Sequence, residues 1–381
     1  MTSPDLTPSS RISAGGGPVS RNRGRWIVRR AGIVSSMFLI VGLAAPGKVR
    51  AWNAEGHMAV AQIAYNHLHP TVKAKCDALI AVPLTYGGTA TNTFVTAACW
   101  ADDFKSQLGS GTWHYIDLPI SLDGTSYASF VPPSFDVVQA INQSIATFRN
   151  PSATDAQQAI SLRYLIHFLA DIQQPLHCSA AFFASQPGGD AGGNGYPISG
   201  TYNNLHSLWD SGGGYLADSL PRPLSTASRT TLNNRVATIE AAHPYQSVEA
   251  GRLPDVMVWA QEAKSLAVTI CYSGIALNTA PSAGYLQTAR STTEARIALG
   301  GQRLADLLNT LLAVNPTPFR ASNGDFGVSW NAVVGATYYL EWTDDPADPT
   351  WNVRPPITAS SRTATFQEPM IPGRRFYRLR R

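Results

Sequence analysis

The stretch that most constrains this chain is RYLIHFLADIQQPLH, Arg163 to His177. Its first half is apolar and periodic, which predicts a buried helix. His167 and Asp171 are four residues apart, so they project from one face, one turn above the other. Pro175 ends the helix, and His177 follows on the exit turn. An imidazole, a carboxylate and a second imidazole thus reach one small volume. One carboxylate can bridge two metals, so this set is able to hold more than one divalent cation. The bland alternative is a core helix with two satisfied histidines.

Other segments repeat or complete the pattern. In NLHSLWD, His206 and Asp210 again stand four apart on a predicted helical turn. Two such pairs plus His177 favour a metal cluster over either pair alone. AACWADDFK, Ala97 to Lys105, brings Asp102 and Asp103, which are adjacent, so one of the two is expected to point inward. TWHYIDLP, Thr112 to Pro119, offers His114 and Asp117. In WNAEGHMAVAQIAYNHL the apolar spacing is helical from Met58 to Leu68, with His57 just ahead of it. His67 and His69 read as solvent-facing, and His243 as a loop residue.

The first fifty residues do not belong to this globule. Arg25, Arg29 and Arg30 precede an apolar run from Ala31 to Ala45, and Val49 and Ala51 fit small-residue cleavage positions. Residues 1–51 therefore read as a secretory signal, cut after Ala51, too short in its apolar run to span a membrane comfortably. The expected location is secreted or periplasmic, with no membrane insertion once the signal is gone. Cleavage would make Trp52 the first residue, whose free amine and carbonyl can chelate a metal together, with His57 near in sequence.

Removing the signal changes the charge. Residues 1–51 carry eight Lys/Arg against one Asp, so a whole-chain charge of +4 becomes −3 for the remainder. A strongly basic nucleic-acid-binding face is not indicated, and bound cations must supply much of the attraction for an anionic substrate. Four cysteines remain, Cys76, Cys99, Cys178 and Cys271. An even count in an exported chain allows two disulfides, Cys76 with Cys99 being the most local pairing. Cys178 lies beside His177 but is not needed as a ligand, since nitrogen and oxygen donors nearby suffice.

Further helices are expected at Phe135–Phe148, Val256–Ile275 and Tyr285–Val314. Gly300 and Gly301 inside the last cost helix stability and so imply close helix packing. Residues 52–315 read as all-α with long loops. After Asn315-Pro316-Thr317-Pro318 the pattern alternates: VSWNAVVGATYYLEWTDD, TATFQ and RRFYRLR read as strands of a small β-module, residues 316–381. Its terminal arginines, Arg374, Arg375, Arg378, Arg380 and Arg381, read as a solvated strand edge protected by charge.

The motifs W-N-A-E-G-H, W-A-D-D-F-K, W-H-Y-I-D, H-F-L-A-D-I-Q-Q-P-L-H, G-G-N and N-L-H-S-L-W-D, in this order, resemble the trinuclear-zinc nucleases. These are the fungal single-strand-specific nucleases and plant bifunctional nucleases, with a phospholipase C/nuclease-like multi-helix fold. The β-module lies outside the match and resembles fibronectin-III-like tails. The resemblance implies three zinc ions (Zn2+). Asp102, His114 and His167 would hold the first, and Asp171 would bridge it to a second, completed by Trp52 and His57. His177, His206 and Asp210 would hold the third. Lys105 matches a basic position near the scissile phosphate, and Asp117 a carboxylate that orients the attacking water. The implied activity is endonucleolytic hydrolysis of single-stranded DNA and RNA to 5′-phosphate products, with 3′-nucleotidase activity as a further capability, by a monomer. Tyr65, Trp113, Phe182 and Tyr202 are the candidate aromatics for base stacking. Two rival readings are a zinc phospholipase C and a non-enzymatic protein in which the metal is structural and the β-module binds. The short Trp-to-His spacing and Asp210 in place of a Glu argue against the first. Mixed donors without thiolate argue against the second.

Overall fold

The computed structural model describes residues 52–380, apart from 151, 218, 247–253, 314–315, 333–336 and 362. The signal reading for residues 1–51, and the junction at residue 315, lie outside the described residues.

The helices follow in chain order: α1 (Ala54–His67), α2 (Pro70–Ile80), the short α3 (Phe94–Ala97) and α4 (Trp100–Leu108). A three-residue strand, β1 (Pro119–Ser121), precedes α5 (Val137–Arg149) and α6 (Asp155–Asp171). Strand β2 (Ala180–Phe182) pairs in parallel with β1. Then come α7 (Leu205–Asp210), α8 (Thr226–Ala242), α9 (Val256–Leu266) and α10 (Ala283–Leu312). Among the described residues, the chain from α1 to α10 is thus all-α but for one two-stranded ribbon.

Helix α6 is the axis of this region. Thr154 and Gln157 form a capping box at its start, and from Ser161 to Asp171 every residue is buried. A helix apolar on all sides belongs in a core, and α1, α2, α4, α5 and α10 all pack on it. It ends at Asp171, four residues before the proline expected to stop it, and Pro175 instead opens a 3-10 turn, Pro175–Cys178, that carries His177.

The paired glycines do what their place in a helix implied. A Cβ on Gly301 would lie 2.4 Å from Ile63 Cγ2 and 3.1 Å from the Val60 carbonyl of α1. Absent side chains let two backbones meet, bringing the N-terminal helix against the C-terminal one.

Several expectations need correction. His57 lies inside the first turn of α1, because Asn53 caps the helix earlier than the apolar pattern shows. The Val256–Ile275 helix is interrupted: after Leu266 one π-helical segment, Ala267–Cys271, ends it. The last helix starts two residues earlier, behind the Ser282 cap, and ends at Leu312. His67 is not simply solvent-facing; its Nε2 is 2.6 Å from Glu240 and its ring stacks on Tyr245. The Cys76–Cys99 disulfide is absent. All four cysteines are buried and unbridged, with Cys76 and Cys99 in separate apolar clusters, where each packs as a small hydrophobe.

Beyond the helices come β3 (Thr317–Arg320), β4 (Phe326–Asn331), β5 (Thr337–Thr343), β6 (Asn352–Val353), β7 (Ile357–Thr358), β8 (Thr363–Glu368) and β9 (Phe376–Arg380). They form two sheets, β3-β4-β8 and β6-β5-β7 with β9 also on β5. Val328, Trp330, Tyr338 and Ala364 close a core between them. Of the terminal arginines, Arg374 and Arg378 are exposed as a solvated edge implies, and Arg375 is largely covered. Arg375 covers Trp342 at 3.6 Å, and Arg378 lies 2.6 Å from Glu341 and over Trp351. Among the described residues, no helix is long and apolar enough to cross a membrane.

Candidate metal centre

Asp171 ends α6 with its carboxylate wholly buried. Its Oδ2 lies 3.0 Å from His114 Nδ1 and 3.1 Å from His167 Nε2. Its Oδ1 faces elsewhere, 3.4 Å from His57 Nε2 and 3.8 Å from His177 Nδ1. One carboxylate therefore serves two imidazole sets, one through each oxygen.

Three ligand groups result, each with its donor atoms within 4.8 Å of one another: His57, His167 and Asp171; Asp102, His114 and His167; His177, His206 and Asp210. Helix α4 settles the choice between its two aspartates. Asp102 turns inward, 3.7 Å from His114 Nδ1, while Asp103 turns out and takes Arg222 at 2.5 and 3.0 Å. Lys105, one turn on, places Nζ 3.1 Å from Asp102 Oδ1.

The imidazoles are oriented from behind. The His167 Nδ1–H donates to the Ala98 carbonyl at 2.5 Å, that of His177 to the His114 carbonyl at 2.8 Å, and that of His206 to the Gly192 carbonyl at 2.6 Å. Each bond fixes the tautomer and leaves Nε2 facing the centre, the arrangement that metal-ligating histidines use. Trp52 is buried, and its indole N–H donates 3.0 Å to the carbonyl of Ala170, beside Asp171. The next peptide N–H, of Asn53, donates 3.1 Å to the Asp210 carbonyl. Residue 52 is thus pinned between two ligand-bearing elements.

The residues fit metal ions. Both ring nitrogens of His57, Nε2 of His177 and Oδ1 of Asp171 are buried without a hydrogen-bond partner. Such orphaned groups cost roughly 1–3 kcal/mol each unless something satisfies them. Burial and the neighbouring His167 lower the His57 pKa to about 3, so its imidazole is neutral and able to ligate. Burial would raise Asp171, yet His167 and His114 hold its carboxyl well below the usual range. Burial drives Asp210 well above that range, so a nearby cation would be needed to keep it ionised at neutral pH. Nitrogen and oxygen donors without thiolate suit zinc.

The glycine-rich segment is part of the centre, which spacing alone did not reveal. At Gly192 φ is +63°, and a Cβ there would lie 2.3 Å from the Leu176 carbonyl. Only glycine lets the loop cross the His177 turn and set its carbonyl on His206. Asp190, for which the sequence offers no signal, anchors that loop. Its carboxylate accepts from the Ala181 N–H at 2.8 Å and the Tyr272 hydroxyl at 2.7 Å. Beside the third ligand group opens a cavity of about 100 Å³, walled by Tyr115, Asp117, His177, Ala191, Asn194 and His206. Burial and then Asp190 push Asp117 up to about 6. Of the four candidate stacking aromatics, Phe182 is buried under Tyr127 and Phe130. Trp113 is wedged between Phe135 and Tyr164.

A largely helical scaffold thus gathers three His/Asp groups, two of them sharing His167 of the core helix, each able to hold a metal ion. The chain belongs to the S1/P1 nuclease family: the model of that family, described as S1/P1 Nuclease, matches residues 52–313. It is accordingly a metal-dependent nuclease acting on nucleic acids. It is 26% identical over 285 residues to nuclease P1 of Penicillium citrinum, covering 68% of this chain and 97% of that one. It is 27% identical over 288 residues to endonuclease 3 of Arabidopsis thaliana, covering 71% and 92%. Among solved structures, the alpha toxin from Clostridium absonum aligns over 84% of each chain at 11% identity. The TM-score of that alignment is 0.38.

Proposed function

We propose that the chain is an exported, three-zinc endonuclease that cleaves single-stranded DNA and RNA to 5′-phosphate products and removes 3′-phosphates from nucleotides. The observation that carries the reading is the Asp171 carboxylate, with each oxygen turned to a different set of imidazoles. Asp102, His114 and His167 would hold one zinc, His57 and Trp52 a second shared through Asp171, and His177, His206 and Asp210 the third. Bound zinc lowers the pKa of a coordinated water to about 7 and offsets charge on a phosphoryl oxygen.

The chain's own residues supply the rest. Lys105 stands on the more open side, beside Asp102, whose side chain is 16% exposed. There it would add positive charge as phosphorane charge develops. Asp117 and Asn194 offer polar groups, and Tyr115 a ring, in the cavity beside His177. Such a ring is a surface on which a nucleobase would stack. A base must be unstacked to enter, which favours single strands over duplex. Asp117 acts there on the base or on the attacking water. The signal over residues 1–51, and the division into a nuclease domain, 52–315, and a β-module, 316–381, belong to this proposal.

The test is metal analysis of the chain beginning at Trp52, beside parallel assays on single-stranded DNA, duplex DNA and a phosphatidylcholine emulsion. Three zincs per chain and preferential loss of the single strand are expected. Turnover of the lipid alone would replace the nuclease by a phospholipase. Loss of all hydrolysis on deleting residues 316–381 from a still-folded chain would move the activity to the β-module.

A further inference from the structure

Gln174 lies between the two halves of the third ligand group and is fully buried. Its Oε1 accepts from the Leu176 N–H at 2.6 Å, capping the turn that carries His177. Since that oxygen is committed to a backbone donor, the amide cannot flip, and Nε2 must face the other way. There it donates to Asp210 Oδ1 at 2.8 Å. The remaining oxygen, Oδ2, turns to His206 Nε2 at 3.3 Å.

From these contacts we infer that Gln174 is a positioning residue for the third metal position. It sets two of the three ligands at once: the turn under His177 through its oxygen, and the carboxylate of Asp210 through its nitrogen. An amide suits the task because it is the side chain with an acceptor and a donor on one rigid plane. A lysine or arginine in its place would neutralise Asp210 and weaken it as a ligand. Glutamine instead occupies one carboxylate oxygen without removing the charge. With Oδ1 held, Asp210 offers a metal a single oxygen. The neighbouring Gln173 does a different job: its carbonyl and Oε1 take Arg296 and Arg303 of α10, at 3.0 and 3.4 Å. The pair thus divides, one glutamine fastening α6 to α10 and the other tying α6 to α7.

The inference rests on the three-zinc reading but concerns metal affinity rather than the substrate. The experiment is a zinc-retention titration of the full chain against chelators of graded strength. The parent is set beside Gln174→Leu, which lacks both polar ends, and Gln174→Glu, which keeps the acceptor for Leu176 but lacks the donor for Asp210. In both variants one of three zincs should bind 10–100-fold more weakly, the usual scale for a lost partner behind a ligand. The other two should hold as in the parent, and the melting temperature of chelated Gln174→Glu should stay close to the chelated parent's. Retention curves matching the parent's in both variants would overturn the inference. So would equal weakening of all three positions, which marks a general structural defect. A parent that binds three zincs yet cleaves no nucleic acid would sink the nuclease reading and leave this one standing.

Discussion

Asp171 carries the heaviest demand of any single residue, because each of its oxygens faces a different set of imidazoles. Asp171→Asn keeps the shape and removes the shared charge. At least one zinc should be lost, together with nearly all hydrolysis of single-stranded DNA. A variant with full zinc content and near-parental turnover would refute the bridge. Asp103→Asn is the comparison, since it breaks only the contact with Arg222 at the rim and should be mild. Asp117 gives a pH prediction. Its pKa rises from 3.8 to about 6 in the folded chain, so the folded state holds the proton more tightly than the unfolded. Stability from this group is present below pH 4 and is lost as pH rises through 6. In chelated protein, Asp117→Asn should therefore gain melting temperature on the parent between pH 4 and pH 7, by roughly 2–4 °C for each kcal/mol recovered. A constant difference across that range would show that Asp117 is not protonated there. The choice between Asp102 and Asp103 could not be read from adjacency; the direction of α4 decides it.

At the scale of elements, the contact of α1 with α10 is set by what is missing. Gly301→Ala improves helix propensity by about 1 kcal/mol but puts a Cβ 2.4 Å from Ile63. Overpacking of that kind costs roughly 1–3 kcal/mol, so a net fall in melting temperature is expected. Gly284→Ala, in the open first turn of α10 with nothing nearer than 3.9 Å, should instead rise slightly. Opposite signs for two identical substitutions in one helix would confirm packing as the cause. The start of α1 makes a second prediction. If Trp52 ligates through its own amine, one added residue before it turns that nitrogen into a planar, poorly basic peptide N–H. Mature chain extended by one Gly should lose one zinc site and orders of magnitude in hydrolysis. Normal zinc content and rate in the extended chain would exclude the terminal chelate. Such a requirement would make signal removal an activating step.

For the whole molecule the question is where attraction for a polyanion comes from. Residues 52–315 hold 13 Lys/Arg against 18 Asp/Glu, a net −5. Three zinc ions would bring that region near neutrality and confine attraction to the metals. The salt dependence of KM should then be shallow. A protein making 6–10 phosphate contacts loses about 10³–10⁵ in affinity between 50 and 200 mM salt, and so steep a loss would reveal a basic substrate-binding surface.

The sequence by itself determined what helical geometry repeats locally. A spacing of four puts His167 above Asp171 and His206 above Asp210 on any helix, and alternation marks the late strands. Nitrogen and oxygen donors without thiolate suit zinc, and the order of the motifs carries the resemblance that implies it. Tertiary structure alone decided which of Asp102 and Asp103 turns inward, that Cys76 and Cys99 stay apart, and that Gly192 supplies the carbonyl behind His206. It also decided that Gln174 reaches Asp210, 36 positions along the chain. The reason is physical: a helix fixes the direction of side chains within a turn or two. Which distant backbone group meets a buried imidazole depends on how helices pack, and the partner that Gly301 admits, Ile63 of α1, shows only when the two helices are in place.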